Sequence, residues 1–590
     1  MTPPEGGAKP TTSRRADRFE ALAAFVSAVL VYTGLSFLLT SAAWIDPAQR
    51  WPGGCCDQQL MIWMLRWIPT VIQHGGDPLF TTQMNAPAGV NLMWNTSIPA
   101  VALLLTPVTI VMGPVVAYNV ALVLALVTSG LAAWLAARHY VAGVVAPLVA
   151  GAVYAFSSYS VGHATVHLNL TVAFAPPLML ILLDELLVRR RRNAIGLGVA
   201  IGALAALQLY VFEEVLATLA IAATVLAFVL VVAVRERERI REGVVRVATA
   251  AAPAALTFGV LAAWPLSVQF LGPRRIQSPV QDVSSFSTDL MNLVLPTPNT
   301  LLAPGPLMEL TRHFSSLYHE ATAYVGVPLL VVLVVLVVTR WHDLRVRVAG
   351  LTALLLFILS LGPVLHVATI DTGIPMPWWP LAHLPLIEHA IPGRVTMYLF
   401  LAVAVLVAVA VEQLRRMPLA RGAAGLAVLA VALAVTAPRP MNDWQSPTPA
   451  WFQGDGPSRL GPDALVLFAP HFANGAGAAP MQWTAVAGNE PRMWQGYAYV
   501  PRDDGRPGYG PPGNDLTRMM VEIQDNGTPL LARGVDRQRA IGDLVDNGIT
   551  HVIVGPLKHR AEMVAFFTDL FAGPPEELEG VELWDVRSIR

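Results

Sequence analysis

Eleven apolar stretches, each close to the length needed to cross a bilayer, constrain this chain more than any other feature. They lie near 20–43, 115–137, 143–160, 168–188, 194–210, 215–234, 247–270, 322–339, 346–365, 392–412 and 421–437. A spanning helix needs about 20 mostly apolar residues to traverse roughly 30 Å of hydrocarbon, where backbone groups have no water to pair with. Of the 590 residues, 54% are hydrophobic and only 13% charged. That balance excludes a string of water-soluble domains. Lys and Arg number 39 against 40 Asp and Glu, a net charge of −1, so there is no basic field to recruit nucleic acid. The expected architecture is a polytopic all-α transmembrane domain of about eleven helices over residues 20–437. A short tail, residues 1–19, precedes it and an α/β domain, residues 438–590, follows.

The first stretch follows Arg14, Arg15 and Arg18, as a signal peptide would, but Ala21 to Ala43 is too long for a signal core and reads as a retained anchor. Orientation follows from the positive-inside rule. A cytoplasmic N-terminus puts Lys9, Arg14, Arg15, Arg18, Arg138, the run Arg189 to Arg192, Arg235, Arg237, Arg239, Arg241, Arg246, Arg340, Arg345, Arg347, Arg415, Arg416 and Arg421 inside. Those are twenty cations, against six outside the tail: Arg50, Arg66, Arg274, Arg275, Arg312 and Arg394. Eleven crossings then put the loops 44–114, 271–321 and 366–391 and the tail from about 438 outside. Residues 98–112 are apolar but short and carry Pro99 and Pro107, so a re-entrant or partly embedded helix is expected there.

The first outer loop has the densest chemistry. Asp57 and Gln58 follow a glycine pair and the adjacent Cys55 and Cys56. From Leu60 to Ile72, Trp63, Trp67 and aliphatics recur at helical spacing, which predicts a helix lying on the membrane surface as a lid. An acid in that position is an ordinary helix cap, and at the outer end of a span it is also a candidate general base; the two roles coexist. Asp46-Pro47 and Asp77-Pro78 read as turns. Whether the two cysteines form a vicinal disulfide or stay reduced is not decided by sequence. No Cys/His set has zinc-site spacing.

Other outer residues are candidates for sugar or acceptor contacts. His163 and His167 stand at i, i+4, a spacing that also suits a metal, although no third ligand is evident. Glu213 and Glu214 are adjacent acids at the edge of a span, costly there unless paired or wetted. Asp289 lies in the loop 271–321. For a phosphate, the scarce outer arginines Arg274, Arg275 and Arg394 are the candidates. Arg394 opens its span as Pro392-Gly393-Arg394, a start expected to leave backbone N–H groups free beside the guanidinium.

Beyond Pro438 the composition turns to Gly, Pro, Asp and Trp. Ala464 to Ala469 and His551 to Val554 read as buried strands, and Ile541 to Gly548 as a helix, which is α/β logic. The tail has no phosphate-binding loop, dinucleotide fingerprint or nucleophile elbow, so acceptor binding or stability is expected of it rather than chemistry.

The many spans, an acid in the first outer loop, amphipathic helices in that loop, an outer α/β tail and an arginine at a late span resemble the GT-C superfamily of integral membrane glycosyltransferases. The likeness is greatest to bacterial members that decorate cell-envelope polymers, such as actinobacterial mannosyl- and arabinofuranosyltransferases. The resemblance implies a polyprenyl-phosphate sugar donor, a glycan or glycolipid acceptor, inverting transfer with Asp57 as base, and Arg394, with Arg274 or Arg275, at the departing phosphate. The first-loop signature of the family is often two acids; here Asp57 stands beside Gln58, and the sequence requires no divalent cation. A transporter or lipid flippase is the alternative, but such proteins tend to show internal repeats and interrupted midplane helices, and no clear repeat is found.

Overall fold

The computed structural model describes residues 11–234, 236–317, 319–473, 477–531 and 533–587, with side chains from residue 19 onward. Lys9, Arg235 and the side chains of Arg14, Arg15 and Arg18, counted above as inner charges, lie outside the described residues.

Each of the eleven apolar stretches falls on a helix, but they differ in length. Among the described residues six helices are long and apolar enough to cross a membrane: Phe19–Leu39, Pro114–Ala137, Leu168–Arg189, Glu213–Ala233, Arg237–Leu271 and Pro392–Arg416. A seventh crossing is possible through Val145–Ala155 and Ser158–Ala164, bent by 44°. The chain is therefore a multi-pass membrane protein. The other four expected spans are shorter helices, Ala194–Leu209, Val327–Thr339, Leu344–Ser360 and Leu419–Val435. The shortness of the second has a local cause. Val327–Thr339 starts only after Gly326, which adopts φ +76°, with Pro328 in its first turn, so the apolar residues from 322 to 326 remain extended.

The bend at residues 156–158 has a local cause. Ser157 leaves the helix at ψ 163°, and its Oγ accepts the Ser160 N–H at 3.2 Å, capping the second half. Gly162 in that half packs so closely that a Cβ there would stand 2.9 Å from the His319 carbonyl oxygen. His163 is thereby brought up to the segment His319–Glu320.

The helix expected to float as a surface lid is instead enclosed. Asp57–His74 buries Gln58 to Leu65, Trp67, Ile68 and Pro69, with the rings of Trp63 and Trp67 stacked 5.3 Å apart. Its apolar residues recur around the helix, which packs against both Pro114–Ala137 and Ala479–Val486 of the tail. Residues 98–112 form two short helices, Pro99–Leu104 and Thr106–Met112, that also pack on it.

The tail forms a five-stranded sheet. Leu465–Ala469 pairs in parallel with His551–Val554 and with Arg492–Met493; Val581–Asp585 runs antiparallel to His551–Val554 and carries Glu576–Leu578 on its outer edge. The helices Asp515–Asn526, Gly534–Asp546 and Arg560–Phe571 pack with it through a core that includes Met520, Leu544, Phe566 and Phe567. This tail is knitted into the first loop. Arg50–Pro52 pairs antiparallel with Asp443–Gln445, with Arg50 2.9 Å from the Asp443 carboxylate. Asn489 Oδ1 accepts from the Thr70 hydroxyl at 2.7 Å. One hydrophobic cluster runs without a break from Tyr398 and Trp63 to Trp483 and Phe468.

Candidate functional site

Where the first loop, the bent pair, the segment before Val327 and the start of Pro392–Arg416 meet, a chain of charged side chains crosses the interior. At its open end is Asp57, in the first turn of its helix. Cys55 and Cys56 before it are joined as a vicinal disulfide. One Asp57 oxygen accepts a short hydrogen bond from the Tyr497 hydroxyl; the other is 3.1 Å from His167 Nε2. His167 Nδ1 lies 3.1 Å from His163 Nδ1 and 3.7 Å from Glu320 Oε1. Arg394 Nη2 donates to Glu320 Oε1 at 2.6 Å, and Nη1 donates to Glu214. Glu214 Oε1 in turn accepts the Ile391 N–H at 2.9 Å.

Exposure is lowest in the middle of this chain. The Asp57 side chain is 22% exposed and His167 14%, Glu320 is 1%, and Arg394 and Glu214 are 8% and 12%. Asp57 is the most exposed member. Burial pushes the Asp57 carboxyl up, but the His167 hydrogen bond and charge, the Tyr497 hydroxyl and His319 outweigh it and hold the group below its ordinary range. At Glu320 burial again acts upward, and the Arg394 guanidinium, aided by His163 and His167, overrides it and holds this carboxyl far down. His319 is pushed down to about 4, chiefly by burial and then by His167.

His163 Nε2 is fully buried without a hydrogen-bond partner among the described residues, 3.8 Å from the Glu320 carboxylate. One ligand atom each from His163, His167 and Glu320 lie within 4.8 Å of one another, and a nitrogen–nitrogen–oxygen set suits a divalent transition metal. Glu214 and Glu320 both pair with the guanidinium of Arg394, while Asp57 pairs with His167.

Of the residues singled out from sequence, Asp57, His163, His167, Glu214 and Arg394 come together. The others do not. Gln58 is buried and donates to the Thr165 carbonyl, tying the first loop to the bent pair instead of facing a ligand. Asp289 is 1% exposed, and its carboxylate holds a hairpin turn, accepting the backbone N–H groups of Met291, Ala368 and Thr369 at 2.8, 3.0 and 2.8 Å. Glu213 begins the same helix as Glu214 but makes none of the network contacts. Arg275 donates to the Phe270 carbonyl at 3.1 Å, and neither it nor Arg274 joins the network. The free N–H groups expected at Arg394 are occupied: Gly393 donates to Phe286 O and Arg394 to Ile391 O, both at 3.2 Å. Gly393 is required there, since a Cβ would meet Phe286 O at 2.8 Å. With both arms on carboxylates, Arg394 is a buried ion-pair hub and not an open phosphate seat. Two members were not anticipated. Glu320 stands beside the apolar run 322–339, where a lone buried acid was a usable signal. Tyr497 sits in an irregular stretch of the tail and carried none.

Among solved structures the fold is similar to the cryo-EM structure of arabinofuranosyltransferase AftD from Mycobacteria. The TM-score is 0.51 at 15% identity, over 95% of this chain and 40% of that one. It also matches the crystal structure of the Archaeoglobus fulgidus oligosaccharyltransferase in the apo form, with TM-score 0.47 and 12% identity over 90% of this chain and 69% of that one. This chain thus spans about two fifths of the AftD length. No curated protein matches the sequence. At 15% identity the likeness to AftD is one of fold alone. The sequence profile described as "Domain of unknown function (DUF6311)" matches residues 73–437, and the chain belongs to that family.

Proposed function

We propose that the protein is a membrane glycosyltransferase that moves a sugar from a polyprenyl-phosphate donor to a glycan or glycolipid acceptor of the cell envelope. The reaction is assigned to the outer face of the plasma membrane, with the N-terminus cytoplasmic and residues 438–590 outside. What carries this reading is one carboxylate: Asp57, held below its ordinary range, is the most exposed acid of a buried network in a chain whose fold is similar to that of an arabinofuranosyltransferase.

In this reading Asp57 accepts the proton of the acceptor hydroxyl as that oxygen bonds to the anomeric carbon. The bond from that carbon to the phosphate oxygen breaks on the opposite face, its electron pair goes to the lipid phosphate, and the configuration inverts. His167 fixes one Asp57 oxygen and hands the contact on to Glu320, which Arg394 anchors. Arg274 and Arg275 on the outer loop are the proposed partners of the departing phosphate; Arg394 keeps its carboxylates. A divalent cation held by His163, His167 and Glu320 would supply further stabilisation of negative charge on that phosphate.

The test is transfer by purified protein in lipid nanodiscs, with a polyprenyl-phosphate sugar. Asp57→Asn is expected to lower the rate by about 10²- to 10⁴-fold while leaving the unfolding temperature unchanged. A variant that transfers at a near-normal rate removes Asp57 as base.

A further inference from the structure

Each Asp57 oxygen is fixed by a donor from a different part of the chain: His167 from the turn just after the bent pair, and Tyr497 from the tail, 440 residues away in sequence. The tail's donor is held with unusual thoroughness. Tyr499 and Tyr509 face each other across the antiparallel pair of Tyr499–Pro501 with Pro507–Tyr509, and their hydroxyls share a hydrogen bond of 2.6 Å. Tyr497, two residues before Tyr499, falls on the same side of the strand, while Ala498 and Val500 point into the core at 1% and 2% exposure. The Tyr509 ring lies between its neighbours, 4.9 Å from Tyr497 and 4.2 Å from Tyr499, and Phe472 closes the column 4.4 Å from Tyr497.

The column is locked to the first loop at both ends. Asn95 accepts the Tyr499 N–H at 2.6 Å and donates to the Tyr499 carbonyl at 2.9 Å; Asn85 Oδ1 accepts the Gly496 N–H at 3.0 Å. Gly496 packs where a Cβ would stand 2.9 Å from the Met84 side chain. Cys56, the residue before Asp57, packs against Phe472 beside Tyr497 and Tyr509. The same aromatic unit therefore seats the turn that carries Asp57 and supplies the hydroxyl that bonds its carboxylate.

We infer that Tyr497 is a positioning residue, through which the C-terminal region sets the orientation of the Asp57 carboxylate for attack, so that the reacting centre is incomplete without this region. The inference rests on the reading of Asp57 as base. A carboxylate with one oxygen pinned and the other loose swings about its Cβ–Cγ bond, and an error near 1 Å at the reacting atoms costs as much as a hundredfold in rate. Tyr497 acts through Asp57 and touches neither the acceptor nor the sugar in this scheme. Its removal acts on turnover and leaves acceptor capture alone.

Tyr497→Phe keeps the ring and deletes only the hydroxyl. In nanodiscs, with varied acceptor, kcat is expected to fall about 10- to 100-fold while the acceptor KM stays within about twofold. The unfolding temperature, read in parallel, guards against a folding defect; should it drop, the kinetic comparison is repeated at a temperature where both proteins remain fully folded. An unchanged kcat overturns the inference, and so does a KM that rises in proportion to the loss, which would make Tyr497 part of the acceptor site. Asp57→Asn, run alongside, separates the two ideas. If it abolishes transfer while Tyr497→Phe turns over at the wild-type kcat, the positioning inference alone fails; if Asp57→Asn itself turns over normally, the base reading has failed.

Discussion

The helix Thr396–Arg416 carries a carboxylate–arginine network at each end, and the two networks are not alike. At the far end Glu412 accepts from Ala142 N at 3.0 Å, from Arg416 at 3.0 Å and from Arg345 at 3.3 Å, while Arg345 also holds Asp343 at 2.7 Å. Two acids meet two arginines there, and the charges cancel. At the near end three acids, Asp57, Glu214 and Glu320, meet one arginine, with two histidines between them. Buried ion pairing by itself marks nothing, because desolvation opposes it and structural networks are common. What separates the ends is an excess of acids over arginines, a buried imidazole nitrogen with no hydrogen-bond partner, and a carboxylate that solvent reaches. The near end is built to receive something positive; the far end is complete.

The sharpest way to break that contrast is Glu320→Gln. Glu320 is the joint between Arg394 and the histidines, so its loss leaves a buried guanidinium with Glu214 as its one remaining carboxylate. Transfer is expected to vanish and stability to fall by about 2–4 kcal/mol, measured by urea unfolding in detergent. Elemental analysis gives a second readout. Near one divalent metal per chain in the wild-type protein, and its loss in Glu320→Gln, supports the cation at His163, His167 and Glu320; metal-free wild-type protein with full activity removes it.

Glu412→Gln is the matched change at the other end and should be milder. Arg345 keeps Asp343, and an amide still accepts from Ala142 N, so about 1 kcal/mol of stability is at stake, with transfer within about twofold of wild type. A large loss of activity here would mean that the two ends communicate along the helix, and the distinction drawn above would fall.

The near end was partly legible in sequence for physical reasons that differ by residue. Asp57 announced itself as an acid just ahead of an apolar helix, and Arg394 as a lone cation at a Pro-Gly start. Helix positions were legible because hydrocarbon enforces apolar composition. Span length was not, since Gly326 delays one helix and Ser157 breaks another through local backbone geometry. The burial of the Asp57–His74 helix was hidden because its outer cover is the tail, and amphipathic spacing alone does not distinguish lipid from protein as the covering medium. Glu320 and Tyr497 belong to the site only through pairings 74 residues or more apart in sequence, which no local pattern encodes. Asp289 misled for the opposite reason: an acid that bonds three backbone N–H groups looks the same in sequence as one waiting for a sugar.

The comparison also extends to titration, where the tail offers the smallest effect. His471 is 5% exposed, and burial pushes its imidazole down to about 3, so it stays neutral in the folded tail at any physiological pH. Unfolded, a histidine takes a proton near pH 6.5. Between those values the unfolded chain binds more protons, so stability is full above about 6.5 and is lost as pH falls toward 3. From pH 7.5 to 5.5 the expected loss from this residue is about 1 kcal/mol. It is read as the difference in pH dependence between wild type and His471→Phe, by tryptophan fluorescence in urea, since Trp494 stacks against the imidazole in the native tail. Identical slopes in the two proteins would mean that His471 reaches water in the folded state and that the tail is less tightly closed around its core than the first loop it clamps.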